Sequence, residues 1–344
     1  MIDRYIFSFA LDNIGKVQKP AIDYTRCINS GQNKHDCKIC RQVCPQSAIS
    51  LKGKKRLEID RELCRGCYLC SGVCPAQCIS HHSAFVKSND TGATNLVIGC
   101  SQNSSGLVKA KVPCLASLPW EFYAYFSYEA PITMLPGNCQ DCAMNAQIHI
   151  DAIKDRLKLF WGKDYDDRVS SSAADLTDGI SRREFFGLFS SKIRSVKKSI
   201  DVIATDDMGD DFPAHTSVFR RLLLRELAEG KAHGWLTLDI TESCWGCRIC
   251  EKLCPSKSID LVGSGEQWVL SHNVARCTGC KLCKTVCPEQ AIKELSARYV
   301  CGKNHVFFSP IRVNPCKVCG QNRKSQTDDI CNVCKNKTKK ITSR

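Results

Sequence analysis

Hydrophobic residues in this chain come in short runs separated by turns. "SLKGKKRLEID" (50–60) and "DLVGSGEQWVL" (260–270) each place apolar positions on both sides of a glycine-containing turn, which predicts two short strands in a hairpin. "NLVIGC" (95–100), "KAKVPC" (109–114) and "PITMLPGNCQDC" (131–142) are compact β-like segments that run into cysteine. "LPWEFYAYFSYE" and "AMNAQIHIDAIKDRLKLFWG" beside them read as helices, giving a strand–helix–strand unit. "KDYDDRVSSSAADLTDG" (163–179) reads as a polar linker. In "SRREFFGLFSSKIRSVKKSI", Ser181 and Glu184 have capping-box spacing at a helix start. Its Ser-Arg-Arg-x-Phe is similar to a twin-arginine signal, but it is internal and no apolar stretch follows. "SVFRRLLLRELAEG" predicts a helix with Val218, Leu222, Leu223 and Leu227 on one face, and the two helices are expected to brace the two ferredoxin units rather than bind a cofactor. No apolar run approaches the ~20 residues of a membrane span, and the N-terminus has no charged start, apolar core and cleavage site in series. A cytoplasmic location is the expectation.

Against this background the 26 cysteines in 344 residues stand out. A secreted disulfide scaffold with so much cysteine is usually a short chain, so reduced, metal-ligating thiols are expected here. They also reinterpret the formal charge of +14, which counts every cysteine as neutral. A tetrathiolate site holding a [4Fe–4S]2+ core or Zn2+ carries −2, and six of them would subtract about 12 charges. Much of the basicity therefore compensates for metal sites.

Four segments repeat: "CKICRQVCPQSAI" (37–49), "CRGCYLCSGVCPAQCI" (64–79), "CWGCRICEKLCPSKSI" (244–259) and "CTGCKLCKTVCPEQAI" (277–292). The last three read C-x2-C-x2-C-x3-C-P. The first has Lys34 where its first cysteine belongs. Paired across the predicted hairpins, these segments resemble the bacterial two-cluster ferredoxin, occurring twice, at residues 22–86 and 236–300. In that family three cysteines of one motif and the last of its partner bind each [4Fe–4S] cluster. The resemblance implies one cluster on Cys244, Cys247, Cys250 and Cys287, and its neighbour on Cys277, Cys280, Cys283 and Cys254. In the first module it implies a cluster on Cys64, Cys67, Cys70 and Cys44, and leaves Cys37, Cys40 and Cys74 one ligand short.

Cys27 and Cys78 compete for that place. Cys78 occupies a slot held by Ala48, Ser258 and Ala291 in the sibling repeats, where a small side chain suffices. Cys27 precedes a polar, turn-forming stretch of the kind expected in an inserted loop, and is the expected fourth ligand. A three-iron cluster and a non-cysteine ligand stay open as alternatives.

Cys100, Cys114, Cys139 and Cys142 follow the middle strands, and a strand–helix–strand unit would gather them at one sheet edge. Residues 95–145 resemble the iron–sulfur subunit that accompanies methyl-viologen-reducing hydrogenase. A [2Fe–2S] or zinc site is expected there, against isolated core cysteines. Cys316, Cys319, Cys331 and Cys334 form C-x2-C-x11-C-x2-C, a spacing that suits tetrahedral zinc, with Gly320 permitting a tight turn. Cys301 is a spare.

The expected fold class is α+β: two ferredoxin-like 2[4Fe–4S] modules flanking a small α/β cysteine-bearing domain (93–162) and a helical linker (163–234), with a C-terminal zinc ribbon (312–336) and a basic tail (337–344). Nothing resembles a phosphate-binding glycine loop or a nucleophile–base pair. The resemblance implies an electron-transfer polyferredoxin without independent catalysis. Its expected partner is a redox protein of an anaerobic oxidoreductase system such as hydrogenase or formate dehydrogenase. An assembly factor for a metalloenzyme is the alternative, and a nucleic-acid-binding protein is the less favoured one.

Overall fold

The computed structural model describes residues 19–24, 27–29, 37–53, 56–80, 96–108, 110–172, 218–227, 232–264, 267–293, 296–301, 305–323, 329–331 and 334–335. It comprises two compact units, residues 1–233 and 234–344.

The first unit begins with helix α1 (Ile39–Val43), hairpin strands β1 (Ile49–Lys52) and β2 (Arg56–Ile59), and helix α2 (Leu69–Gly72). The hairpin register pairs Ile49 with Ile59 and Leu51 with Leu57. Ile49 and Leu57 are buried among the cysteines. An antiparallel bridge between Ile22 and Ile79 brings the module's ends together. Asp23 N donates to Cys78 O at 2.7 Å and Ser80 N to Ala21 O at 2.8 Å.

A four-stranded parallel sheet follows, in the order β4-β3-β5-β6. Its strands are β3 (Leu96–Cys100), β4 (Ala110–Val112), β5 (Ile132–Leu135) and β6 (Val169–Ser170). Helix α3 (Trp120–Glu129) joins β4 to β5, and α4 (Gln147–Trp161) leads toward a last turn, α5 (Tyr165–Arg168), before β6. The expected linker therefore begins later than residue 163. Tyr165 and Val169 are buried, and Val169 pairs with Ile132. Two apolar anchors keep an otherwise polar stretch on the sheet.

Helix α6 (Val218–Glu226) packs on α3. Leu222, Leu223 and Leu227 are buried as its amphipathic pattern requires. The same helix buries Arg220, whose guanidinium meets Glu121 at 3.1 Å, and Phe219 stacks edge-on against Phe122 at 5.2 Å. This helix thus packs on the middle sheet domain, where the sequence led to the expectation of a brace for the ferredoxin units. The capping-box helix expected from Ser181 lies outside the described residues.

The second unit repeats the first module's order of helix, hairpin and helix in α7 (Ile249–Leu253), β8 (Ile259–Ser264), β9 (Gln267–Asn273) and α8 (Leu282–Val286). Two further strands flank it: β7 (Ala232–Thr237), which spans the boundary between the units, and β10 (Ser296–Cys301). Ile240 bridges Ile292, as Ile22 bridges Ile79. β7 pairs with β10. A third strand, β11 (His305–Arg312), extends the hairpin to β11-β9-β8. The short pair β12 (Asn314–Pro315) and β13 (Asn322–Arg323) frames the C-terminal cysteines. Among the described residues no helix is long and apolar enough to cross a membrane.

Candidate metal centres

The four repeats share backbone devices that aim their cysteines. The third residue after each Cys-Pro cysteine, Ser47, Gln77, Lys257 and Gln290, adopts positive φ between 44° and 49°. This tight turn returns an amide to the sulfur: Ala48 N, Ser258 N and Ala291 N donate to Cys44, Cys254 and Cys287 Sγ at 3.2–3.3 Å. Tyr68, Arg248 and Lys281 take left-handed conformations ahead of α2, α7 and α8. Lys38, their counterpart in the incomplete motif, has φ −105°. The missing cysteine thus coincides with a different backbone entry.

Four cavities result, two in each unit, each with four expected ligands in its lining. One cavity collects Cys27, Cys37, Cys40 and Cys74, and another collects Cys44, Cys64, Cys67 and Cys70. In the second unit, one cavity is lined by Cys244, Cys247, Cys250 and Cys287, and another by Cys254, Cys277, Cys280 and Cys283. They are numbered one to four below. The thiols act on one another within each cavity and, through Cys40 on Cys70 and Cys250 on Cys283, between the neighbouring cavities of a module. Burial, then the Cys74, Cys37 and Cys27 thiolates, push the Cys40 thiol up to about 12. Burial, then Cys247 and Cys244, push Cys250 up to about 12. Cys283 is raised by burial and by Cys277, Cys280 and Cys254. Four thiolates crowded into one buried cavity repel one another until a cationic core joins them, so the donor set fits an iron–sulfur cluster.

The first cavity brings Cys27 to the irregular motif. Asn29, almost fully buried, clamps Cys37 from both sides: its Nδ2 donates to Cys37 O at 2.7 Å, and Cys37 N donates to its Oδ1 at 2.9 Å. This ties the segment of Cys27 to Cys37, and Cys27 stands beside Cys37, Cys40 and Cys74. Cys78 lines the same cavity, with its sulfur 3.5 Å from Cys74 Sγ. Hydrogen bonding to Cys27 and Cys74 holds the Cys78 thiol protonated by raising its pKa. Five cysteines therefore surround this cavity. In the sequence Asn29 reads as one more turn-forming residue of the stretch after Cys27, and composition carries no signal for the clamp.

In the middle domain Cys100, Cys114, Cys139 and Cys142 gather beyond the C-terminal ends of β3, β4 and β5. Burial first, and then the other three cysteines, push Cys114 up to about 12. Gly137 N donates to Cys100 Sγ at 3.1 Å, and a Cβ on Gly137 would stand 3.0 Å from that sulfur. A side chain there would have to push the sulfur and Gln102 aside by a few tenths of an ångström.

The C-terminal set is built on another scale. Among the described residues, the sulfurs of Cys316, Cys319, Cys331 and Cys334 are the group that lies within 4.8 Å of one another. Cys319 and Cys331 are 3.7 Å apart, close to the ~3.8 Å that tetrahedral ligation at 2.3 Å requires. Cys331 N donates to Cys316 Sγ at 3.2 Å, and this amide leads the effects that pull the Cys316 thiol down to about 6. The module touches the third site: Asn322 Nδ2 donates to Gly246 O at 2.7 Å, and Gly246, with φ +70°, faces Val313. Cys301 is named here as a residue whose side chain lies outside the described set.

Two matches to protein-family models agree with this geometry. A 4Fe-4S dicluster domain model matches residues 35–78, and a second 4Fe-4S dicluster domain model matches residues 238–294. The chain thus carries two ferredoxin-type dicluster domains and iron–sulfur-binding cysteines. It is 34% identical over 64 residues to "Pyruvate synthase subunit PorD" of Thermotoga maritima, covering 19% of this chain and 58% of that protein. It is 36% identical over 61 residues to the subunit of the same name in Methanothermobacter marburgensis, covering 18% and 62%. The match in Methanocaldococcus jannaschii is 29% identical over 62 residues, covering 18% and 64%. The chain spans about three-fifths of the length of these relatives.

Proposed function

We propose that the chain is an electron relay: four [4Fe–4S] clusters in two ferredoxin modules pass single electrons between a low-potential donor and an oxidoreductase partner. The observation that carries this reading is the grouping of sixteen cysteines around four cavities, each pair of cavities exchanging one ligand between motifs. Bound cubanes supply one-electron chemistry over a wide potential range. The chain's own residues supply the cage: amides from the turns after each Cys-Pro steady the sulfurs, and the hairpin side chains exclude water. Cys27, Cys37, Cys40 and Cys74 hold the first cluster. Cys44, Cys64, Cys67 and Cys70 hold the second. Cys244, Cys247, Cys250 and Cys287 hold the third, and Cys254, Cys277, Cys280 and Cys283 the fourth.

The middle cysteines, spread wider than the C-terminal set, suit a polynuclear core such as [2Fe–2S] better than a single zinc. The C-terminal four suit one zinc. The partner belongs with low-potential enzymes such as hydrogenase or formate dehydrogenase, and the relatives add pyruvate synthase to that class.

Anaerobically loaded protein should contain about sixteen irons in cubanes, two more at the middle site, and about one zinc. Cys283→Ser should block transfer to the partner and preserve binding to it and the first module's clusters. Cells carrying that variant should retain full partner activity with an artificial dye. Eight irons or fewer after reconstitution would remove the relay, and lost dye-linked activity would favour an assembly role.

A further inference from the structure

The hairpin of each ferredoxin module floors both of its cavities, and three of the four floors are aliphatic. Ile49 and its cross-strand partner Ile59 line the second cavity. Leu57 lines the first, and Leu261 with its partner Leu270 lines the third. In the fourth, Ile259 is paired with His272. His272 is 0% exposed, and neither ring nitrogen has a hydrogen-bond partner in the protein. A buried imidazole left without a hydrogen-bond partner carries an uncompensated desolvation cost. An isoleucine fills the equivalent place in the first module without that cost. The ring lies against a cavity whose expected occupant is rich in sulfur acceptors. Burial pushes His272 down to about 4, so it is neutral near pH 7 and keeps one N–H to donate.

The same cavity has further donors. Ser258 Oγ lies 3.2 Å from Cys254 Sγ and Ser256 Oγ lies 3.6 Å from it, in addition to the Ser258 amide. The corresponding slots are Ala48 and Gln46 after Cys44, and Ala291 and Glu289 after Cys287. At the third cavity the charge is reversed in sense, because the Glu289 carboxylate acts on Cys247. Hydrogen bonds to cluster sulfurs stabilise the reduced, more negative state, and nearby anions oppose it.

We propose that His272, with Ser256 and Ser258, makes the fourth site the higher-potential centre of its module, where an electron comes to rest after passing the third site. This rests on the relay reading above and adds a direction to it. Reduction places one electron on the cluster and leaves every protein bond intact. His272 contributes a hydrogen bond from its N–H, and no proton leaves it.

The test is a redox titration of the full, cluster-loaded chain, followed by paramagnetic resonance, with iron content measured on each sample. His272→Ile installs the residue found at position 59, and Ser258→Ala the residue found at 48 and 291. Each should keep its iron and shift one module-two cluster about tenfold toward the oxidised form, which is 59 mV for one electron. His272→Gln, which retains an N–H donor, should stay closer to the wild type. If the iron is intact and both replacements leave every midpoint unchanged, the proposal is wrong. It is equally wrong if Ser258→Ala alone shifts a midpoint and His272→Ile does not. Absence of cubane signals in the wild type would instead overturn the relay reading itself.

Discussion

Replacing Gly72 with alanine tests how firmly the first ferredoxin module is joined to the middle sheet domain. Gly72 ends α2 against the turn at Leu115–Ser117, immediately after Cys114. A Cβ there would lie 2.0 Å from Ala116 O and 2.8 Å from the Ser117 carbonyl carbon. Both neighbours are backbone, so no side-chain rotation relieves the overlap, and the elements must separate by an ångström or more. Overpacking of this kind costs about 3 kcal/mol or more. The helix propensity gained from alanine, about 1 kcal/mol at most, does not offset it in a helix of one turn. At about 2–4 °C per kcal/mol for a unit of this size, melting should fall by roughly 6–12 °C. The assay is anaerobic thermal unfolding of the cluster-loaded chain, with variant and control scanned at one fixed rate and compared with the wild type. Gly106→Ala is the control, since a Cβ at that position meets nothing within 4 Å. A Gly72→Ala protein that melts together with the control would refute the direct contact.

Three further outcomes follow from the same structure. Arg220→Met alone strands the buried Glu121 carboxylate and should cost about 3–5 kcal/mol in denaturant unfolding, whereas Arg220→Met with Glu121→Leu should recover most of it; equal losses would refute a buried pair. Cys27→Ser should convert the first cubane to a three-iron species seen by paramagnetic resonance in the oxidised protein. Cys78→Ala should keep four irons, and the reverse pattern would reassign the ligand. Chelating the C-terminal metal should release Asn322 from Gly246 and make the third cluster bleach before the other three; simultaneous loss of all four would argue against that tie.

The cysteine spacing made the modules visible because a cluster dictates ligand positions along the chain, leaving a periodic trace. The hairpins and middle strands were equally visible, since Leu51, Leu57, Val97 and Ile132 alternate or cluster as buried strand residues do. What escaped depended on contacts between distant residues. The stretch around Asp164–Arg168 reads as linker because Tyr165 and Val169 are diluted by charge, yet those two residues hold it to the sheet. Arg220 looked like the polar face of an amphipathic helix, and its burial depends on Glu121, 99 positions earlier. His272 sits in an ordinary alternating strand. Only its pairing with Ile259 and the cavity beneath give it meaning.

The bridges Ile22–Ile79 and Ile240–Ile292 carry a consequence for how such a protein is assembled from parts. Each ferredoxin module begins and ends at adjacent points, so a host polypeptide can accept one at a surface turn without being stretched open. Excising a whole module and rejoining its flanks should demand little of the remainder, provided that contacts such as Gly72 on Ala116 are first made dispensable. The cassette is free to travel, and the glycine is what commits this copy to its host.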